Sequence, residues 1–273
     1  MKNLMIPALA LFLSAAAQAD DSPLWMRYCA ISPDGQTIAF SYQGDIYTVP
    51  SSGGKARQLT THPAHDTRPV WSPDGQKIAF ASNRSGNFDV FLMNKEGGEP
   101  KRLTTHSTNE YPTTFKDNGH VLYLANVSQD AKDIQFPGTR FMQVYEISTD
   151  GGRPDLYSSL YMENIALSKD GSKLLYNDYK GYEDPWRKHH QSSITRDIWL
   201  CTLGKDRSFQ KVTTFGGEDR NPVWAADGAS FYYLSEEKGS FNIFKKDLAG
   251  NSERQITTHT THPCLLYTSD AAD

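Results

Sequence analysis

Serines, histidines and cysteines are the side chains through which this chain could do nucleophilic or metal chemistry, and their spacing argues against both. A nucleophile needs an oriented base and donors for the oxyanion. Ser32 and Ser72 instead open Ser-Pro-Asp-Gly turns, and no Gly-x-Ser-x-Gly elbow occurs. His62, His106 and His259 each close a recurring Thr-Thr-His, while His189 and His190 are adjacent and so face opposite sides of an extended segment, a poor arrangement for one metal ion. Cys29, Cys201 and Cys264 show no Cys-x-x-Cys spacing, which implies neither a zinc site nor a disulfide framework. Glycine-rich phosphate cradles are missing too. No catalytic residue, metal or cofactor is expected.

What remains is a set of charged and aromatic residues that recurs with the repeat. "RPVWSPDGQKIAFASNRSGNFDVFLMNKEGGEPKRLTTH" has close relatives ending at His62 and His259, and two looser copies lie between them. Each copy parses as four strands. In the second, PVWS, KIAFAS, DVFLMN and KRLTT are separated by turns at Pro73-Asp74-Gly75, Ser85-Gly86-Asn87 and Gly97-Gly98. Proline presets φ, aspartate bonds its own backbone and glycine takes the positive φ. Four-stranded units repeating every ~40 to 45 residues predict an all-β chain, a β-propeller with five blades present and six in the intact domain. The blades fall near 24–62, 63–106, 107–158, 159–214 and 215–259 within a propeller of 20–263.

If each first strand lines the channel, the residues leading into it form one rim. These are Arg27, Arg68, Glu110, Tyr111, Glu163, Asp219 and Arg220. Such a mixed rim suits peptide termini or a neighbouring domain, through charge-assisted bonds; the alternative reading of the same residues is ordinary solvated loop charge. Extra length in the third and fourth copies adds loops, and the second of these carries Trp186, Arg187, His189 and His190. Loops on a rigid scaffold are where specificity concentrates. Another column, Asp45, Asp89, Gln143, Asp197 and Asn242, opens each third strand. It is read as polar side chains bonding a neighbouring hairpin rather than as a ring of ligands.

Composition narrows the setting. At 38% hydrophobic and 22% charged, with a formal charge of −4 and both signs interspersed, the chain reads as soluble and globular, without the field that nucleic acid or an anionic membrane would need. Residues 1–19 combine Lys2, an apolar run and Ala17-Gln18-Ala19, the pattern of a secretory signal peptide, so the mature chain is expected to be periplasmic or extracellular with no membrane span. The closing CLLYTSDAAD, 264–273, reads as the translation of a transposase sequencing adapter and is set aside, Cys264 with it. On that reading the chain is an amino-terminal fragment. An incomplete ring exposes a sheet face and an edge, so self-association is expected.

The corners ISPDGQTIAF, WSPDGQKIAF and LSKDGSKLLY, with the paired glycines and the LTTH ends, resemble the repeat shared by TolB and the amino-terminal propeller of tricorn-type peptidases. The opening PLWMRYCAISPDGQTIAFSYQGDIYTVPSSGG and the insertion YKGYEDPWRKHHQSSITRDIW look more like the tricorn group. Over 24–263 the resemblance implies a non-catalytic propeller that filters or docks peptides for a carboxy-terminal serine peptidase core, whose serine and histidine lie outside this sequence. Partners would be peptides or other domains of the same chain, with a homo-oligomer as a further option. A TolB-like propeller acting through protein partners, without enzymatic activity, is the alternative.

Overall fold

The structure is a computed structural model, and it describes residues 26–127, 141–181, 191–249 and 252–260. Its strands fall into five antiparallel four-stranded sheets. The first blade is β1 (Arg27–Ile31), β2 (Thr37–Tyr42), β3 (Asp45–Pro50) and β4 (Arg57–Gln58). The second is β5 (Asp66–Trp71), β6 (Lys77–Ser82), β7 (Asp89–Asn94) and β8 (Gly97–Arg102). The third holds β9 (Glu110–Asp117), β10 (His120–Ala125), β11 (Gln143–Ser148) and β12 (Asp155–Ser158). The fourth holds β13 (Met162–Leu167), β14 (Lys173–Asp178), β15 (Ile198–Thr202) and β16 (Ser208–Lys211). The fifth holds β17 (Asp219–Trp224), β18 (Ser230–Ser235), β19 (Asn242–Asp247) and β20 (Glu253–Gln255). The expected all-β propeller with five blades is what the chain forms.

Two short motifs explain why the blades repeat. At the corner, Ser72 Oγ donates to Asp74 Oδ1 at 2.6 Å, and the same oxygen accepts the Gln76 N–H at 3.0 Å. Ser32 with Asp34 and Ser168 with Asp170 repeat the arrangement. These donors favour the ionised form, so the Ser168 and Ser172 hydroxyls bring Asp170 down to about 2. At the blade's outer side the first threonine of Leu-Thr-Thr-His accepts the buried N–H that follows the Asp column. Thr60 takes Ile46 at 3.0 Å, Thr104 takes Val90 at 2.9 Å, Thr213 takes Ile198 at 3.0 Å and Thr257 takes Ile243 at 2.9 Å. Thr60 and Thr257 in turn donate to Asp45 and Asn242. This column thus fastens the fourth strand to the third.

In the second blade the first strand begins at Asp66, earlier than the PVWS reading, and the fourth begins at Gly97 rather than Lys101. Gly97 has φ +83, and a Cβ there would lie 3.1 Å from the Leu59 carbonyl oxygen of the first blade. Glycine lets the two backbones meet closely at that point.

Between blades the faces interdigitate. Ala39, Ile46 and Leu59 meet Ile78, Phe80, Phe91 and Met93. Ala79, Val90 and Leu92 meet Phe115, Val121 and Tyr123; Leu122 and Val144 meet Ile165 and Leu174; Leu175 and Ile198 meet Phe231 and Phe244. The Trp71 and Trp224 indole N–H groups cross to the Ala30 and Ala166 carbonyls at 3.0 and 2.9 Å. On the far face of the fifth blade Val223 is 59% exposed, with Tyr232 and Ile256 beside it, and on the near face of the first blade Ile31 is 60% exposed. Ile31 occupies the position that Trp71 and Trp224 fill elsewhere.

Candidate functional site at the channel mouth

The first strands β1, β5, β9, β13 and β17 pack side by side in chain order and form the inner wall. Four of them break register at one repeat position, between Arg27 and Ala30, Thr67 and Val70, Glu163 and Ala166, and Arg220 and Val223. Each break holds a non-glycine residue in left-handed backbone: Tyr28 (φ 53), Arg68 (φ 54), Asn164 (φ 49) and Asn221 (φ 54). Left-handed backbone suits asparagine but strains tyrosine and arginine. A bulge re-aims the side chain it carries. On β9 that position is Pro112, whose ring keeps φ negative, and the register shift there falls between Pro112 and Thr114.

Arg68 is thereby placed between two rings of the neighbouring inner strands. Its guanidinium carbon lies 5.0 Å from the centre of Tyr28 and 4.3 Å from that of Tyr111. Tyr111 packs on Phe88 at 5.4 Å, and Phe88 meets His65 edge-on at 5.9 Å. A run of aromatic faces with one cation set into it spans three blades. Arg27, half-buried, opens β1 next to this run.

The other side of the mouth is built differently. Arg196, just before β15, donates from Nε to Glu163 Oε2 and from Nη1 to Glu218 Oε1, both at 2.9 Å, and lies 5.4 Å over the Tyr179 ring. Arg220 stacks on Phe241 at 4.3 Å, with its Nε 3.5 Å from Glu218 Oε1. Burial opposes the charge on both. At Arg196 the two carboxylates outweigh it and raise the proton affinity of the guanidinium, whereas at Arg220 burial wins and lowers it.

Behind the mouth runs a column of buried acids. Asp66 faces Arg84 at 2.8 Å and Asp89 faces Arg102 at 2.8 Å. Glu110 and Asp219 open β9 and β17 at 1% exposure. Burial raises Glu110 to about 7, with the Asp89 charge adding to the shift. Asp219 likewise rises to about 7 through burial, with Asp197 contributing. Both Asp219 oxygens, Glu110 Oε2 and the Tyr123 hydroxyl lie buried without a hydrogen-bond partner of good geometry.

Of the residues expected at the rim, the structure brings Arg68 and Tyr111 into contact, and Glu163 and Arg220 into the Arg196–Glu218 cluster. Glu110 and Asp219 instead point between blades. All seven lie within the first strands rather than ahead of them. Trp186, Arg187, His189 and His190 fall outside the described residues. Tyr28, Arg196 and Glu218 are additions. Arg196 carries a signal in retrospect, because the residue before the Asp45, Asp89, Gln143, Asp197 and Asn242 column is otherwise Gly44, Phe88, Met142 or Phe241. Among the described residues no cluster of three or more His, Cys, Asp or Glu could hold a metal ion. His62 and His106 use Nδ1 to accept the Ala64 and Thr108 N–H groups. No helix among the described residues is long and apolar enough to cross a membrane.

Comparison with known proteins agrees with this architecture. A family profile described as the tricorn protease N-terminal beta propeller domain matches residues 23–272. A tricorn protease homolog of Saccharolobus solfataricus is 23% identical over 257 residues, covering 90% of this chain and 22% of that protein. Tricorn protease homolog 1 of Streptomyces coelicolor is 25% identical over 240 residues, covering 86% and 21%. This chain therefore spans about a fifth of the length of these relatives. Among solved structures, the tricorn protease superposes with TM-score 0.67 at 21% identity over 86% of this chain and 22% of that one. A TolB from Agrobacterium tumefaciens superposes with TM-score 0.65 at 17% identity over 85% and 80%.

Proposed function

The chain belongs to the tricorn protease N-terminal β-propeller family, and from that premise we propose that it is a non-catalytic module of an exported tricorn-like serine peptidase, filtering or docking peptides for a peptidase core carboxy-terminal to it. The observation that supports this reading is on the inner strands of the channel mouth: left-handed backbone at Tyr28 and Arg68 goes with a half-buried guanidinium set between the rings of Tyr28 and Tyr111. Such a mouth offers an extended peptide charge-assisted bonds and flat apolar faces. Arg27, Arg68, Glu110, Tyr111, Glu163, Asp219 and Arg220 remain its proposed residues, the two buried acids acting from behind the wall. Export rests on the apolar first nineteen residues, which lie outside the described part.

The exposed apolar faces of the first and fifth blades support a sixth blade between them in the intact domain. Residues 264–273 are proposed not to contribute to it. The test is to express the parent reading frame with and without residues 20–263 and to follow cleavage of a tripeptide and of an unfolded protein. Loss of discrimination between the two on removing the propeller, with tripeptide cleavage kept, is expected. A frame that stops shortly after a sixth blade, or an unchanged ratio, would overturn the reading. The second reading, a TolB-like protein-binding propeller, is favoured by how much of the A. tumefaciens TolB chain, 80%, the fold covers.

A further inference from the structure

The arginines of the inner wall are not equivalent. Arg84, Arg196 and Arg220 each face a carboxylate. Arg68 is half-buried like them, yet among the described residues it makes no ion pair and its side chain donates no hydrogen bond. Its only neighbours of that kind are the two tyrosine rings, one from the blade on either side. A guanidinium stacked between rings is held in place through its faces, while the edge that carries the N–H donors stays free. The left-handed bulge at Arg68 fixes the base of the side chain as the rings fix its head. Nearby acids do not reach it: Asp66 is turned into the blade interface against Arg84 and Glu110 is buried between blades.

A fixed guanidinium fork of this kind is matched by the two oxygens of a carboxylate, at little ordering cost because the fork is already immobile. We propose that Arg68, clamped by Tyr28 and Tyr111, is a carboxylate receptor of the channel mouth, and that the peptides this propeller takes are ones presenting a carboxylate there. The inference rests on the peptide-filtering reading above and adds the ligand's chemistry to it. Phe88 and His65, which continue the aromatic run away from Arg68, would lie under the adjoining residue of the peptide. The carboxylate can belong to a chain terminus or to an acidic side chain, and three probes separate these sources.

The probes are acetyl-tetra-alanine as free acid, the same peptide as its amide, and acetyl-Ala-Ala-Glu-Ala amide. Each is titrated calorimetrically into the whole chain and into its Arg68→Gln and Arg68→Lys variants, after confirming that the variants melt as the parent does. One or both carboxylate peptides are expected to bind at least about tenfold more tightly than the neutral amide, with that advantage lost in Arg68→Gln and falling with added salt. Arg68→Lys, which keeps the charge and loses the fork, is expected to retain part of it. If neither carboxylate peptide binds more tightly than the neutral amide, or if Arg68→Gln keeps the full preference, the receptor assignment is overturned while peptide filtering stands. If no peptide of any kind binds the parent chain, both readings fall together.

Discussion

Arg68 and Arg196 sit on opposite sides of the same channel mouth, and each lies over a tyrosine, at 4.3 Å from Tyr111 and 5.4 Å from Tyr179. Arg196 is also gripped by Glu163 and Glu218, whereas among the described residues the guanidinium of Arg68 has rings alone. One guanidinium is therefore consumed in joining the fourth blade to the fifth, and the other is held still and left unspent. Residue type and position in the repeat do not decide which arginine supports the wall and which can receive a ligand. The acceptors supplied by the neighbouring blade do.

The strongest way to break this contrast is to remove Arg196. Arg196→Met leaves the Glu163 carboxylate without its Arg196 partner and Glu218 with the more distant Arg220 alone, and is expected to cost about 3 kcal/mol, read from urea denaturation at neutral pH. A cost near zero would make the two arginines alike.

Next comes the acid column behind the mouth. Glu110 and Asp219 hold their protons to about 7 in the folded chain, against ordinary carboxylate values of about 4 when unfolded. Between those limits the folded state binds more protons than the unfolded one, so stability is highest near the lower limit and declines as pH rises to about 7. The expected loss is on the order of 3 kcal/mol for each group. Glu110→Gln should flatten its share of that slope and Asp219→Asn the other. The corner aspartates work in the opposite sense: the pKa of Asp170 is lowered, so its contribution is present at neutral pH and disappears as pH falls toward about 2. Denaturation midpoints measured from about pH 2 to about pH 8 would separate the two behaviours, the Asp170 loss appearing below about pH 4 and the Glu110 and Asp219 loss above it.

A smaller effect tests whether the scaffold beneath the two sides is the same. Thr104→Val and Thr213→Val each strand a buried N–H, of Val90 and Ile198 respectively, and both are expected to cost about 2 kcal/mol. Equal costs would place the difference between the halves in the mouth alone. The smallest effect belongs to Arg68→Gln, which forfeits two ring contacts and leaves no charge unpaired, for about 1 kcal/mol in thermal or urea melts.

Much of this scaffold was legible in the sequence, because it is made of local chemistry repeated at a fixed period. KIAFAS and DVFLMN are β6 and β7 to the residue. The Ser-Pro-Asp-Gly corners and the Thr that answers each Asp column follow from short-range hydrogen bonding. The mouth was less legible. A left-handed tyrosine or arginine carries no signature, since the usual marker of that backbone is glycine. Whether a charge near the start of a first strand stays half-buried between rings, as Arg68 does, or is fully buried, as Asp219 is, depends on partners about forty residues away in the adjoining repeat. Glu218, three residues after Phe215 in a connecting segment, carries no local signature, because its partner Arg196 lies 22 residues earlier in the chain.

Among the described residues the first and fifth blades each keep an apolar face exposed, so the described blades behave as a line rather than a circle. Each inner blade is gripped from both sides, while the two at the ends are gripped from one, and their outermost strands are short, β4 with two residues and β20 with three. In a stack whose stability is a sum of nearest-neighbour contacts, opening starts at such ends and travels inward. Backbone amides should therefore exchange with deuterium in an order set by distance from the ends, with the third blade the last to yield. The proposed sixth blade would close the line, and protection would then rise at both ends at once, without any contact in the middle having changed.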